Sequence, residues 1–194
     1  SATPLRALEL EPAATKLLRG FQFLSEKPLL LVINVDEADA DTQTAEAVNR
    51  APLADILAGV ATRTVSVCAK LELEISELDT EDAAAFRTDL GLKKTGLGRI
   101  IRATYELLGY ISFFTASNQE CRAWSVPTGT AAHVAAREIH TDMDRGFIRA
   151  EVVDYNHLIS RGSLSACRDH GEVRLEGKSY VVRDGDVINF RFAT

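Results

Sequence analysis

The feature that most constrains the fold of this chain is a run of alternating side chains that follows a charged segment, residues 140–146. Its apolar members are Ile148, Ala150 and Val152, and its charged members are Arg149 and Glu151. A period of two is typical of a β-strand with one buried and one solvated face. We therefore expect the apolar members to lie in a core and the charged members to lie in water. Such a strand fits a small sheet that a helix covers on one side.

Short elements surround this strand in the C-terminal part of the chain. A hairpin is predicted from residues 110–115 and 121–126, and Thr130 can cap a helix that follows it. Asp154 can cap a second, shorter helix. Further strands are predicted at 173–175, 180–182 and 187–192. Two strands, a helix and then further strands describe a β-grasp, the ubiquitin-like roll, so the predicted fold class is α+β.

The N-terminal part of the chain has a different pattern. Residues 5–24 have helical spacing, and Pro12 can sit in the first turn of a helix. A continuous apolar run at 29–33 predicts a strand buried on both faces, and a second strand is predicted at 64–68, after a helix at 53–58. Strand, helix and strand in this order imply a parallel pair. Because two strands make a poor sheet alone, we interpret them as the edge of a larger α/β domain.

Three helices are predicted between these strands and the C-terminal part. They lie at 72–78, at 80–90, and between Thr95 and Gly109. The third is the clearest, because its apolar residues recur at helical offsets and Thr95 can cap it. The predicted organisation is a helical segment at 1–28, an α/β remnant with linking helices at 29–108, and a β-grasp domain at 109–194.

Composition excludes several classes of protein. A hydrophobic content of 46% in 194 residues is enough for a core, and the longest apolar run is far too short to span a membrane. The formal charge of -6 gives no general reason to expect nucleic-acid binding, and no DNA partner is predicted, although nine of the ten basic residues in 109–194 are arginine. Cys68, Cys121 and Cys167 lack metal-type spacing and cannot all pair, which favours the cytoplasm.

Two groups of polar residues have functional interpretations with simpler alternatives. His140, Asp142 and Asp144 could ligate a metal ion, but a hydrogen-bonded loop is favoured because no further ligands converge on them, and no metal site is predicted. Six arginines could form a basic face for RNA, with solvated surface as the alternative because acidic residues are interleaved. These arginines are Arg122, Arg145, Arg149, Arg161, Arg168 and Arg174.

Several stretches together carry a resemblance to a known family. They are 67–72 with 75–78, 96–103 with 105–108, 114–116 with 122–124, 140–152, and 184–187. They resemble the YchF/Obg-like ATPases, a branch of the translation-factor-like P-loop NTPases that ends in a TGS domain of β-grasp fold. The resemblance covers nearly the whole chain and corresponds to the C-terminal half of that family. It implies that the ribosome or its RNA is the partner.

The resemblance also implies a nucleotide-base site at the end of the first strand. In the family, the residues matching Asn34, Val35 and Glu37 lie near the base. The backbone around Ser66, Val67 and Cys68 closes the other side. A glutamate in place of the aspartate that selects guanine implies a preference for ATP over GTP, because guanine needs a carboxylate at a fitted distance. On the residues alone, a turn at a strand end is the simpler interpretation.

The family's phosphate-binding loop has no counterpart in this sequence. Hydrolysis in the family needs a Gly-x-x-x-x-Gly-Lys-[Ser/Thr] loop and Mg²⁺. The nearest string, residues 91–98, has Leu97 where lysine is required. We therefore expect the chain alone to hold no cofactor and not to hydrolyse ATP.

Three functions follow as expectations. The first is a ribosome- or RNA-binding module that acts through the TGS domain. The second is a nucleotide-binding or ATPase subunit that works only with a separate N-terminal half. The third is a β-grasp scaffold for protein partners, including a homodimer that forms through the N-terminal helices.

Overall fold

The computed structural model divides the chain into two compact units, Ser1–Leu108 and Gly109–Thr194. The residues that it describes are 3–40, 61–92, 94–117 and 120–193. Both units combine helices with a sheet, so the α+β class is confirmed. Among the described residues, no helix is both long enough and apolar enough to cross a membrane.

The first helical segment is shorter than the sequence predicts. A 3-10 helix covers Leu5–Ala7, and helix α1 covers Pro12–Leu18. The prediction that Pro12 lies in the first turn is confirmed, and the extended backbone of Glu11 before it prevents one continuous helix. The prediction of helix through residue 24 is wrong, since the backbone of Gln22 has a positive φ of 51°.

The N-terminal unit contains a two-stranded parallel sheet. Strands β1, Leu29–Asn34, and β2, Thr62–Val67, pair in register, with Asn34 opposite Val67. Both predicted strands are confirmed. The expectation that the first is buried on both faces is wrong, because Val32 is exposed. The helix predicted at 53–58 lies outside the described residues.

Three helices follow β2 in the described part of the N-terminal unit. They are α2 at Ala69–Ser76, α3 at Thr80–Asp89 and α4 at Gly96–Leu108. The Thr95 hydroxyl accepts a hydrogen bond from the Gly98 amide at 3.0 Å, which confirms the predicted cap of α4. The Glu72 carboxylate accepts from the Gly96 amide at 2.5 Å. A negative group at this end is favoured by the helix dipole, so α2 helps to fix where α4 begins.

The C-terminal unit is built on a five-stranded sheet. Its strands are β3 at Tyr110–Ala116, β4 at Cys121–Pro127, β5 at Phe147–Asp154, β6 at Arg174–Glu176 and β7 at Asp186–Phe192. Their order is β4-β3-β7-β5-β6, in which β3 and β7 are parallel and the other neighbours are antiparallel. The last strand in sequence therefore lies at the centre of the sheet.

Four helices accompany this sheet. Three predictions for segments near them are wrong, namely a helix cap, a strand and a loop. The helices are α5 at Ala132–Ile139, α6 at Thr141–Arg145, α7 at Tyr155–Arg161 and α8 at Leu164–Asp169. Thr130 does not cap α5, because its hydroxyl donates to the Pro127 carbonyl. Residues 180–182 form a single bridge, between Ala131 and Val181, and not a strand. The segment 140–146 contains α6, which His140 caps, and is not a loop.

Each face of the five-stranded sheet has its own apolar cluster. On the α5 face, Phe113, Val152 and Ile188 pack with the alanines of α5. On the α7–α8 face, Val153 and Val187 pack with Cys167 of α8. The expectation of a helix on one side only is therefore incomplete, since both faces are covered in part.

The alternation predicted for β5 is correct only in part. A register shift between Phe147 and Arg149 buries Phe147 and leaves Ile148 55% exposed. This shift is a bulge, and a bulge moves one residue out of the regular alternation. Glu151, expected in water, is 8% exposed because α8 covers this part of the face.

Candidate functional site

The carboxyl ends of β1 and β2 meet at the site that the family resemblance predicts. The Val35 amide donates to the Val67 carbonyl at 3.0 Å and so continues the pairing beyond the strand. The Asn34 side-chain oxygen accepts from the Ala69 amide at 3.0 Å. These bonds hold the two strand ends together and direct the Asn34 side chain across the edge of the sheet.

Glu37 and Lys70 form an ion pair beside Asn34. Glu37 opens a short 3-10 helix, and Lys70 lies in the first turn of α2. The hydrogen bond from Lys70 to Glu37, together with the charge of that carboxylate, raises the pKa of the ammonium group. Because both side chains are solvent-exposed, a ligand could reach either of them.

The other side of this site is formed by buried side chains. Ser66, Val67 and Cys68 are all buried, and Cys68 packs with Val35 and Leu71. Their side chains therefore belong to the core, and only their backbone faces the strand ends. Five of the six predicted base-site residues therefore contact one another or residues 69–71, through packing, hydrogen bonds or an ion pair. The sixth, Ser66, lies in β2 opposite Ile33.

The six predicted arginines do not form one surface. Strand register places Arg122 and Arg174 on the α5 face and Arg149 on the α7–α8 face, which Arg168 of α8 also borders. Arg145 lies in α6, and Arg161 is the last residue of α7. A sheet separates the first two arginines from the next two, so a single RNA-binding face built from all six is excluded.

Two of these arginines are held by nearby acidic residues. Arg122 pairs with Glu120 at 2.6 Å, and its guanidinium lies 5.8 Å from the centre of the Trp124 ring. Arg161 pairs with Glu172 through two of its nitrogens. These contacts occupy part of the hydrogen-bonding capacity of both guanidinium groups.

Arg174 belongs to a partly buried network around Asp186 at the start of β7. Its guanidinium donates to the Tyr180 hydroxyl at 3.0 Å, and that hydroxyl donates to the Asp186 carboxylate at 2.7 Å. Burial and the hydrogen bond to Asp186 raise the pKa of Tyr180, so it stays protonated at neutral pH. This network satisfies the buried Asp186, and its role is structural.

Arg149 and Arg168 lie near a second buried acid, Glu151. One Glu151 oxygen accepts from Arg191 at 2.6 Å. The other accepts from Asn189 at 3.1 Å and from Arg168 at 3.3 Å. Among the described residues, no ion pair joins Arg149 to a carboxylate. This arginine cluster, Arg149, Arg168 and Arg191 around Glu151, is the one group of clustered positive charge that the predicted arginines help to form.

The charge state of Glu151 follows from its surroundings. Burial by itself would raise the pKa of this carboxyl, but the hydrogen bonds from Asn189 and Arg191 and the charges of Arg191 and Arg168 outweigh burial and lower the pKa. The side chain is therefore ionised at neutral pH and holds two guanidinium groups in place.

Sequence reasoning missed Asn189 and Arg191. The signal was present, because the alternation of Ile188, Phe190 and Phe192 predicts one apolar face in this strand and leaves Asn189 and Arg191 on the other. That pattern does not reveal which strand lies beside them. The pairing of β5 with β7, which sets Arg191 opposite Arg149, comes only from the fold.

His140 acts as a helix cap. Its ring nitrogen Nδ1 accepts from the Asp142 amide at 3.2 Å, so this nitrogen carries no proton in that contact. In the part of the chain that the structure describes, no group of three or more metal-ligating side chains converges.

Known proteins match this chain in sequence. The family model YchF-GTPase_C, described as a protein of unknown function, matches residues 110–193. The ribosome-binding ATPase YchF of Bacillus subtilis is 44% identical over 193 residues, which are 99% of this chain and 52% of that protein. The protein of the same name from Pasteurella multocida is 39% identical over 196 residues, again 99% and 52%. The chain thus spans about half the length of the curated relatives it matches.

Solved structures agree with the sequence relatives. The YchF GTPase of Schizosaccharomyces pombe matches with a TM-score of 0.75 and 26% identity, over 97% of this chain and 50% of that one. A GTP-binding protein from Pyrococcus horikoshii shares the fold, with a TM-score of 0.52 and 16% identity, over 93% of this chain and 48% of that one. Sequence and structure therefore agree that this chain belongs to the YchF family and corresponds to the C-terminal half of its members.

Proposed function

We propose that the C-terminal unit is a TGS-type β-grasp domain and that it binds the ribosome through RNA. The strand order β4-β3-β7-β5-β6, with a parallel central pair and a helix after the first hairpin, supports the β-grasp assignment. The names of the curated relatives, which are ribosome-binding ATPases, support the partner.

The observation that carries this proposal is the arginine cluster on a unit that has its own core. The chain has a formal charge of -6, so general attraction to RNA is weak. Binding therefore needs a place where positive charge is concentrated and oriented. The cluster meets that need, because guanidinium groups contact phosphate oxygens through forked hydrogen bonds.

Co-sedimentation of the whole chain with purified ribosomes tests this function. We expect the chain to pellet with ribosomes at about 50 mM salt and to be released toward about 200 mM, because phosphate contacts weaken steeply with salt. The Tyr110→Ala variant, altered at an exposed residue of β3 outside the cluster, serves as a matched control and is expected to pellet like the unaltered chain. Failure of the unaltered chain to pellet at low salt would exclude this function.

A second candidate function is binding of a nucleotide base at the strand ends. It rests on Asn34, whose side-chain oxygen accepts from the Ala69 amide. Its amide nitrogen has no hydrogen-bond partner among the described residues and could donate to a base. The carboxyl ends of parallel strands are common ligand sites. Glu37 fits this role less directly, because Lys70 already holds its carboxylate. With no phosphate-binding loop in this sequence, the base contacts alone predict weak affinity.

Calorimetric titration of the chain with ATP and Mg²⁺ tests the second candidate. Binding that both Asn34→Ala and Glu37→Ala abolish, and that the neighbouring Asp36→Ala retains, would support it. Binding that survives both substitutions would place the nucleotide elsewhere and exclude this site.

A third candidate is association of two copies through the N-terminal segment. Leu17, Phe21 and Leu24 are largely exposed there, and exposed apolar patches mark interaction surfaces. Light scattering over a range of concentrations tests it, and a constant monomer mass would exclude it. A Leu17→Ser and Leu24→Ser variant should lose any association that this segment causes.

A further inference from the structure

Two arginines face each other at the solvent-exposed end of the sheet. Arg149 of β5 lies directly opposite Arg191 of β7, on the same face as Glu151 and Asn189. Residues in this relation have Cβ atoms about 4.5–5.5 Å apart, and like charges there destabilise a sheet. The register therefore places two positively charged residues side by side on this face of the sheet.

A single carboxylate, that of Glu151, pairs with Arg191 and with Arg168. Both oxygens of Glu151 are engaged, one by Arg191 and the other by Asn189 and Arg168. No carboxylate among the described residues forms an ion pair with Arg149. The three guanidinium groups thus exceed their one buried counter-charge, and the excess lies at the Arg149 end.

We propose that Arg149 and Arg191 together bind one backbone phosphate of RNA, and that Glu151 and Arg168 are positioning residues for Arg191. This inference rests on the proposed function, and it names the contact through which that function works. A phosphodiester offers two terminal oxygens with one negative charge, and each guanidinium can donate a forked pair of hydrogen bonds to it. Two such groups on paired strands can approach the same phosphate from both sides.

The buried position of Glu151 gives the site its geometry. Because this carboxylate is covered by α8, its short bond to Arg191 holds one guanidinium at a defined place on the sheet. Arg149 lacks such a restraint and can adjust to the ligand. A fixed group beside an adjustable one reduces the conformational entropy that binding would otherwise cost.

Fluorescence anisotropy with a labelled single-stranded RNA of mixed sequence tests the pair in the whole chain. Arg149→Ala and Arg191→Ala are each expected to weaken binding about tenfold, because each removes a charge-assisted hydrogen bond. The double variant should weaken binding by less than the product of the two, since both groups contact one phosphate. Arg183→Ala, which removes an equal charge from an exposed site before β7, is the matched control and should change affinity less than twofold, or about 0.4 kcal/mol.

Glu151→Gln separates positioning from simple electrostatics. The substitution makes the cluster more positive, so a purely electrostatic surface would bind RNA more tightly. If Glu151 positions Arg191, binding becomes weaker instead, and Trp124 fluorescence can confirm that the variant is folded under the assay conditions. Tighter binding would overturn the positioning role.

The remaining outcomes distinguish the two proposals. If the unaltered chain binds neither RNA nor ribosomes, the proposed function fails and this inference fails with it. If the unaltered chain binds but the double variant binds equally well, only this inference is overturned. A higher affinity for poly-glutamate than for RNA of equal charge would also overturn it, because an acidic protein would then be the better ligand.

Discussion

Among the residues that the structure describes, the two units differ in how completely they bury their apolar side chains. The C-terminal unit has a cluster of eleven buried residues on one face of its sheet and a second cluster on the other. In the N-terminal unit, each described cluster contains three buried residues. Its segment before β1 exposes Phe21 by 70% and Leu24 by 81%.

This difference indicates where hydrophobic stabilisation is concentrated within the described part of the chain. Burial of apolar area contributes about 25 cal/mol per Å², whereas exposed area contributes nothing. Most of the hydrophobic stabilisation of the described residues therefore comes from the C-terminal unit. The polar groups differ in the same way, because Glu151 and Asp186 are buried and satisfied while the Asn34 and Glu37 site is open to solvent.

The largest effect on the free energy of unfolding is expected in the core of the C-terminal unit. Phe113→Ala is expected to lower the free energy of unfolding by about 3–5 kcal/mol, because it leaves a cavity at a fully buried position. Urea denaturation followed by the fluorescence of Trp124, the only tryptophan, measures this unit. Phe21→Ala, at an exposed position of the other unit, should leave that transition unchanged. Equal effects of the two substitutions would contradict the conclusion that hydrophobic stabilisation is concentrated in the C-terminal unit.

Acid should weaken the C-terminal unit through Glu151. The pKa of this carboxyl is lowered in the folded state, so its stabilisation is present above its unfolded pKa near 4.5 and is lost as pH falls through the folded value. Glu151→Gln should cost about 1–3 kcal/mol at neutral pH. The difference from the unaltered chain should shrink below about pH 4.5. Denaturation at several pH values measures it, with the exposed Glu138→Gln as the control, and a constant difference would refute the assignment.

Gly146 tests the close packing where α6 leads into β5. A Cβ atom at this position would overlap the carbonyl oxygen of Ala193, whose amide donates to the Gly146 carbonyl at 2.8 Å. Gly146→Ala should therefore lower the unfolding free energy of the C-terminal unit by about 1–3 kcal/mol. Gly177→Ala, which meets no neighbouring atom, is the matched control. An unchanged transition for Gly146→Ala would mean that the end of the chain moves away at no cost.

The smallest effect on stability is expected at two helix caps, one in each unit. Asp79 caps α3 in the N-terminal unit, and Asp154 caps α7 in the C-terminal unit, each through its carboxylate. Replacing either with alanine should cost about 1 kcal/mol. We expect Asp154→Ala to shift the Trp124 transition and Asp79→Ala to change only the helical signal in circular dichroism. A shift of the Trp124 transition by both would show that the two units unfold together.

Local pattern was a good guide at three helix starts, although it wrongly assigned the cap of α5 to Thr130. Pro12 at the start of α1, Thr95 at α4 and Asp154 at α7 were all predicted, because a cap involves only a few adjacent residues. The apolar run 29–33 predicted the strand that ends at Asn34, but only the family resemblance indicated a base site at Asn34 and Glu37.

Predictions failed where distant residues decide the outcome. Glu151 was expected in water because it alternates with apolar residues, yet α8 covers it and three side chains from other elements satisfy it. Ile148 was expected in the core, but a bulge that depends on pairing with β7 turns it outward.

The arginines illustrate the same division. Their number and their alternation with apolar neighbours follow from the order of residues along the chain, because side chains in a strand alternate between its faces. Which arginines meet was decided only when β7 paired between β3 and β5, placing Arg191 opposite Arg149 and separating both from Arg122 and Arg174. Pairing between strands some 40 residues apart depends on the burial of the whole core, and no local pattern contains that information.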